Sequence, residues 1–179
     1  MRVSSGSVCR GGIRLGEVVV EPEKVGPYFV TVENPGSQML YNGATIATTW
    51  HTVATRDVRL LKKQLDIVNG LPKDYVFLNY LRCHDDIGWG LDYATLQQEG
   101  IEERSHKKYL NDYFQGFAGE SNSRGVLYNE DPVTGDARFC GTTATLCGIE
   151  KAGIEKHKAP MEKASQMEVM LHDYMFTQS

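Results

Sequence analysis

The sequence lacks any apolar stretch long enough to cross a membrane as a helix. Such a helix needs about 20 consecutive apolar residues, and none of the 179 residues lies in a run of that kind. The N-terminal residues MRVSSGSVCRGG also lack the continuous apolar segment of a secretory signal. We therefore expect a cytoplasmic protein that has no membrane partner.

Cysteines are few and their spacing fits no known framework. The four residues Cys9, Cys83, Cys140 and Cys147 form neither a CxxC pair nor a zinc-knuckle pattern. We expect reduced thiols, with no disulfide scaffold and no structural zinc site.

A basic surface is missing as well. Nineteen Lys and Arg residues stand against 23 Asp and Glu residues, and the two signs are interspersed, so a nucleic-acid partner is not expected. The GxSxG, HExxH, P-loop and GxGxxG motifs are also absent, so serine hydrolases, zincins and nucleotide-binding enzymes lack their parts. We predict no cofactor and no metal.

What is present predicts alternating strands and helices in one domain. Strands are predicted at Ile13–Val20, where three valines end the run, at Gln38–Asn42, and at Tyr75–Leu81, which is apolar at nearly every position. Between the last two, residues 44–68 repeat apolar side chains every three or four positions, which predicts one long helix.

The second half of the sequence is less regular. Residues 86–140 lose clear periodicity and are rich in Gly, Asn, Asp and Ser, apart from a predicted helix near Glu102–Phe114. Helical patterning returns from Gly141, with an apolar stripe along Met161–Phe176. This order indicates parallel strands with crossover helices, hence an α/β fold, either a doubly wound sheet or a segment of a (β/α) barrel.

His84 and Asp85 directly follow the third predicted strand. In α/β folds reactive groups project from the carboxyl ends of strands, where the loops converge on one cleft. An ordinary turn is the alternative, because Asp-Asp-Ile-Gly is also turn chemistry. A metal site over residues 83–86 is disfavoured, since neighbours in an extended segment point to opposite faces.

Glu17 lies inside the first predicted strand. With Leu15 and Val18–Val20 around it, its carboxyl group would be partly desolvated, which raises the pKa and suits a proton donor. A simple ion pair with Arg14 or Lys24 is the alternative. Among the histidines, we interpret His51 as a core or interface residue and His106, His157 and His172 as surface residues.

Three segments together resemble a known family. "LGEVVVEPEKV", "VFLNYLRCHDDIGW" and "YNEDPVTGDARFCGTTATLCG" are similar to glycoside hydrolase family 13, the α-amylase family, and closest to its amylosucrase branch. The similarity runs from about Val8 to Ser179. It implies that Glu17 is the general acid/base, that Asp85 is the third carboxylate and holds the ring hydroxyls of the sugar, and that His84 bonds a neighbouring hydroxyl.

The same resemblance assigns further binding residues. Asp86 and Arg138 match positions on the acceptor or fructosyl side of the cleft, and Val19 and Val20 match an apolar wall beside it. Residues 86–140 would be an inserted loop subdomain that narrows the pocket. The implied substrate is sucrose or an α-glucan.

The nucleophile of the family has no counterpart in this sequence. In that family an aspartate on the strand before the general acid attacks the sugar, whereas residues 1–16 contain neither Asp nor Glu. A complete (β/α)8 barrel also takes about 250 residues. The resemblance thus implies a partial (β/α)8 TIM barrel, strands five to seven with their helices, with residues 1–179 as the C-terminal half of the catalytic domain.

Three functional hypotheses follow. The first is a retaining glucosyltransferase or hydrolase of the amylosucrase or sucrose-hydrolase type, with this chain as part of it. The second is a chain that is inactive alone, either truncated or associating with a complementary half-barrel chain. The third is an unrelated metal-dependent hydrolase that uses His84, Asp85 and Asp86.

Overall fold

The computed structural model describes residues 15–16, 39–82 and 87–178 of the chain. In these ranges the fold is mixed α/β, with seven helices and two small sheets, and neither sheet closes into a barrel. The strands are β1 (Leu15–Gly16), β2 (Met39–Tyr41), β3 (Val76–Leu78), β4 (Ile87–Gly88), β5 (Val126–Tyr128) and β6 (Arg138–Cys140). The helices are α1 (Gly43–Thr55), α2 (Arg59–Asn69), α3 (Tyr93–Gln98), α4 (Glu103–Gln115), α5 (Thr143–Cys147), α6 (Ile149–Glu155) and α7 (Lys158–Phe176).

The first sheet is parallel, and its strands are adjacent in chain order. β2 lies between β1 and β3, with Leu40 opposite both Gly16 and Phe77. Each strand falls inside a predicted range, although the described strands are shorter than the predicted ones. The connection between β2 and β3 is helical, as the alternating pattern indicated.

The long helix predicted over residues 44–68 is two helices. Arg56 ends α1 with a left-handed backbone, at a φ of 59°. Asp57 then accepts hydrogen bonds from the backbone N–H of Arg59, at 3.0 Å, and from its guanidinium, so the carboxylate fixes the start of α2. The apolar period continues across this break because α1 and α2 pack against each other.

Residues 87–140 are not the irregular region that their composition indicated. They contain α3, α4 and the second sheet, in which β6 lies between β4 and β5 and is antiparallel to both. The helix predicted at Glu102–Phe114 is α4, displaced by one residue. The sheet was missed because its strands are only two or three residues long and show no alternation.

An aromatic cluster joins the two halves of the described structure. Phe139 of β6 stacks on Trp89 and on Phe114, with ring centroids 5.0 and 5.1 Å apart. Trp50 of α1 meets the same Phe114 edge-on at 5.7 Å. All four side chains are at most 4% exposed, so they form the centre of the core.

A lysine is also buried in this core. The side chain of Lys107, on α4, is fully buried, and its Nζ lies 2.6 Å from Glu103 Oε1, 2.5 Å from Asp136 Oδ1 and 2.9 Å from Tyr93 Oη. Burial lowers the pKa of the ammonium group, but the hydrogen bonds that it donates to Asp136, Glu103 and Tyr93 outweigh this effect, so the pKa is raised. Lys107 therefore stays charged and ties α4 to the segment before β6.

The predicted stripe on the last helix is only partly covered. Ala164 and Leu171 of α7 are buried, whereas Met170 is 57% exposed. No helix in the described ranges has the length and apolar character needed to cross a membrane.

The histidine predictions hold in part. His51 is buried, as expected of a core residue, and His157 is exposed. The prediction that His106 and His172 are surface residues is wrong, because both are half-buried. His106 packs against His51, a contact between α1 and α4 that the local sequence does not reveal.

Candidate functional site

The carboxyl ends of β1, β2 and β3 lie at one edge of the parallel sheet. Parallel strands in register point the same way, so the residues that follow each strand emerge on the same side. Leu15 is aligned with Met39, and Met39 with Val76, which places the ends of β1 and β3 on either side of the end of β2. This edge is the candidate site.

Two asparagines hold this edge together. Asn42 follows β2 and Asn79 follows β3, and the side-chain amide of Asn42 donates to Asn79 Oδ1 at 2.9 Å. The backbone N–H of Asn42 donates to the carbonyl of Leu78 at 3.2 Å. Asn79 in turn donates to the carbonyl oxygen of Gln178, beyond α7. Sequence reasoning did not single out either asparagine, although each directly follows a strand, and their role here is to fix the spacing of the strand ends.

Most of the predicted site residues lie outside the described residues. Only Arg138 is within them, and the others are Glu17, Val19, Val20, His84, Asp85 and Asp86. In sequence, the described backbone nevertheless comes within a few residues of both predicted carboxylates. It ends at Gly16, directly before Glu17, and at Arg82, three residues before Asp85.

The chain is anchored immediately before residues 83–86. Trp50 Nε1 donates to the carbonyl oxygen of Leu81 at 3.0 Å, and Leu81 is itself buried. Arg82 Nε donates to the carbonyl oxygen of Gly141 at 2.8 Å, just before α5. Both bonds hold the backbone that leads to the predicted histidine and aspartates.

The chain is anchored again immediately after those residues. Ile87 pairs with Phe139 and Gly88 pairs with Arg138 in the antiparallel sheet. A Cβ atom on Gly88 would lie 2.9 Å from Arg138 Nη1, so the absence of a side chain at Gly88 leaves room for the guanidinium. The pairing brings Arg138 to the point where the chain leaves residues 83–86.

The guanidinium of Arg138 can donate hydrogen bonds to a ligand. The side chain is exposed. A planar guanidinium with five N–H donors can bind carboxylates or adjacent hydroxyl groups. This chemistry fits a polar ligand on the side of β4 and β6.

A large apolar cavity lies apart from this edge. It has a volume of about 880 Å³ and lies between α1, α5 and α7. Its lining is mainly aliphatic, with Val53, Leu61, Leu146, Met167, Met170 and Leu171. At its rim Arg56 and Glu120 form an exposed salt bridge of 2.7 Å.

The polar groups of this cavity do not form a reactive constellation. Burial raises the pKa of the Cys147 thiol to about 12, and the charge of Glu168 adds to this effect, so the thiol stays protonated at neutral pH. Groups of three or more His, Cys, Asp or Glu side chains suited to a metal ion are absent from the described ranges. The cavity therefore offers neither an activated nucleophile nor a metal centre.

A search of the chain against models of known protein families finds no match.

Proposed function

We propose that this chain carries part of the active site of a retaining α-glucoside-active enzyme of glycoside hydrolase family 13, of the amylosucrase or sucrose-hydrolase type. Glu17 would be the general acid/base and Asp85 would hold the ring hydroxyls of the glucosyl unit as positive charge develops at the anomeric carbon. The substrate would be sucrose or an α-glucan. The proposal rests on the three family-like segments and on one structural observation.

That observation is the chain-order parallel sheet. In a (β/α)8 barrel each strand pairs with the next one in sequence, whereas a doubly wound sheet reverses its order at a switch point. The order β1-β2-β3, with α1 and α2 as the helical connection from β2 to β3, is that of three consecutive barrel strands, and one half of a doubly wound sheet shares it. The assignment to barrel strands five to seven rests on the resemblance. The parallel order also supports a shared rim for Glu17 and the segment 83–86, which follow β1 and β3.

The second sheet supports the acceptor-side assignment. Arg138 pairs with Gly88, two residues beyond Asp86, so these two predicted acceptor residues belong to neighbouring parts of the backbone. Residues 86–140 would be the inserted subdomain that closes one side of the pocket. Its folded core around Phe114 and Phe139 could hold Arg138 in a fixed position.

The missing nucleophile favours a chain that is inactive alone. A retaining enzyme needs two carboxyl groups about 5–5.5 Å apart, one on each side of the scissile bond. No acidic residue precedes Glu17 in the sequence. We propose that the nucleophilic carboxylate lies outside these 179 residues, and that without it these residues do not cleave sucrose.

A small anion can stand in for the missing carboxylate and so test the proposal. The purified chain should release no fructose from sucrose. With α-glucosyl fluoride and sodium azide, azide should attack the anomeric carbon as fluoride departs, giving β-glucosyl azide and a fluoride ion. Fluoride release is followed with an ion-selective electrode, and the anomer by NMR.

Single substitutions distinguish the proposed roles of Asp85 and Glu17. Asp85→Asn should lower the azide-dependent rate by at least about tenfold, because a charge facing the oxocarbenium-like state is lost. Glu17→Gln should change it little, because fluoride leaves without protonation. Glu162→Gln, on exposed α7, is the matched control. Fructose release by these residues alone would contradict the proposal that they lack a nucleophile, and a folded chain without any azide reaction would contradict the carbohydrate assignment.

A further inference from the structure

A buried and a half-buried histidine meet between α1 and α4. The ring centroids of His51 and His106 are 4.9 Å apart, and the planes are inclined by 44°. His51 is 1% exposed. Both of its ring nitrogens, and Nε2 of His106, are buried and have no hydrogen-bond partner. Each ring therefore packs as a neutral aromatic group.

Titratable and charged groups face these rings from three parts of the structure. His106 faces His51 from α4, Asp57 faces both rings from the turn after α1, and Arg59 faces His51 from α2. The carboxylate of Asp57 is already engaged, since Arg59 Nε and Nη2 lie 2.9 and 2.6 Å from its Oδ2. These hydrogen bonds lower the pKa of Asp57 to about 2. Arg59 also lies 2.5 Å from Glu99. Among the described residues, an added proton on either ring would thus meet no unpaired carboxylate.

Burial makes protonation of the rings unfavourable. Burial and, to a smaller extent, the neighbouring His106 lower the pKa of His51 to about 4, and the opposing effect of Asp57 is smaller than that of His106. Burial lowers the pKa of His106 as well, against a small opposing effect of Asp57. Two like charges 4.9 Å apart would also repel each other.

We propose that the His51–His106 contact is an acid-sensitive latch between α1 and α4, closed while both rings are neutral and opened when either ring is protonated. The latch goes beyond the glucosyl chemistry proposed above and does not depend on it. A second bond crosses the same interface, from Tyr109 Oη to the carbonyl oxygen of Ala54, at 2.8 Å. Opening would weaken that bond too.

The sign of the pH effect follows from proton linkage. An exposed histidine has a pKa near 6.5, whereas His51 in the closed contact has a pKa of about 4. At pH values between these two pKa values, the open state therefore binds more protons than the closed state. The closed contact keeps its full stability above about pH 6.5 and loses it as the pH falls towards about 4.

Hydrogen exchange of the full chain tests the latch. Protection factors, corrected for the intrinsic pH dependence of exchange, are compared at about pH 7.5 and about pH 5.5. The opening equilibrium of α1 and α4 should rise about tenfold for each histidine that stays neutral when closed. The protection of α7 should change much less, which distinguishes local opening from global unfolding.

The variant His51→Phe combined with His106→Phe should abolish this pH dependence, because phenylalanine keeps the ring packing and cannot be protonated. If the double variant does not fold, His51→Leu alone should still reduce the pH dependence. His157→Gln, at an exposed histidine, should leave it unchanged. Protection of α1 and α4 that is independent of pH, or equally pH-dependent in the double variant, would overturn the proposal.

Discussion

The indole nitrogen of Trp50 donates a hydrogen bond to the carbonyl oxygen of Leu81, and this bond joins α1 to the chain just beyond β3. Trp50 is fully buried, and its ring also packs edge-on against Phe114. One side chain thus connects the helix after β2, the exit from β3 and the aromatic core.

Trp50→Phe should therefore loosen the backbone around Arg82 in particular. It leaves the Leu81 carbonyl buried without a donor and opens a small cavity, so we expect a loss of about 1–3 kcal/mol in the free energy of unfolding, measured by urea titration. Limited digestion with trypsin should cut after Arg82 several times faster than in the parent chain.

Trp89→Phe is the matched control for that experiment. Trp89 is also buried, and its indole nitrogen donates to Asn111 Oδ1 at 2.8 Å, away from Leu81. This variant should lose stability by a similar amount without faster cutting after Arg82. Equal digestion of the two variants at that site would show that the Trp50–Leu81 bond does not restrain the segment.

Lys107→Met should destabilise the chain more than Lys108→Met. Methionine preserves the volume of the buried stem but leaves Glu103 and Asp136 without their shared cation. Because both carboxylates are about half exposed and can be solvated, we expect a moderate cost of about 1–3 kcal/mol.

Lys108→Met provides the comparison. Lys108 makes an exposed i,i+4 pair with Asp112 on the same helix, and such pairs contribute little. Urea unfolding of the two variants under identical conditions compares the losses. If both variants lose the same small amount, the Lys107 network does not stabilise the fold.

Two glycines with similar backbones should respond differently to alanine. Gly100 and Gly116 have φ angles of 69° and 84°, so alanine at either position costs about 1–2 kcal/mol for the left-handed backbone alone. A Cβ at Gly100 would meet nothing within 4 Å, whereas at Gly116 it would lie 2.5 Å from the carbonyl oxygen of Ser123.

Because that carbonyl belongs to the backbone, it cannot move aside as a flexible side chain would. Gly116→Ala should cost about 1–3 kcal/mol more than Gly100→Ala. Thermal and urea unfolding of the pair measure the difference. Equal losses would mean that the Gly116–Ser123 approach relaxes without cost.

Local sequence patterns predicted the elements whose residues interact with near neighbours. The strands around Leu40 and Phe77 and the helix α4 were found because hydrophobic period and length are local properties. The break at Arg56 was missed, since an arginine rarely adopts the left-handed conformation and no Gly or Pro marks the position. Asp57 was the available signal, because aspartate commonly begins helices.

Long-range contacts could not be predicted in this way. The partners of Lys107 include Asp136, 29 residues further on, and the ring against His106 belongs to His51, 55 residues earlier. For the candidate site, the residues came from motif resemblance, whereas the Gly88–Arg138 pairing required coordinates. The amide pair of Asn42 and Asn79 is likewise visible only in three dimensions.

The stretch between the two anchors is four residues long, from position 83 to position 86. Arg82 is fixed to Gly141 on one side, and Ile87 is paired with Phe139 on the other. A slip of β4 along β6 by one position would turn Ile87 from the core towards solvent. The burial of Ile87 thus fixes the register in which the chain enters the second sheet.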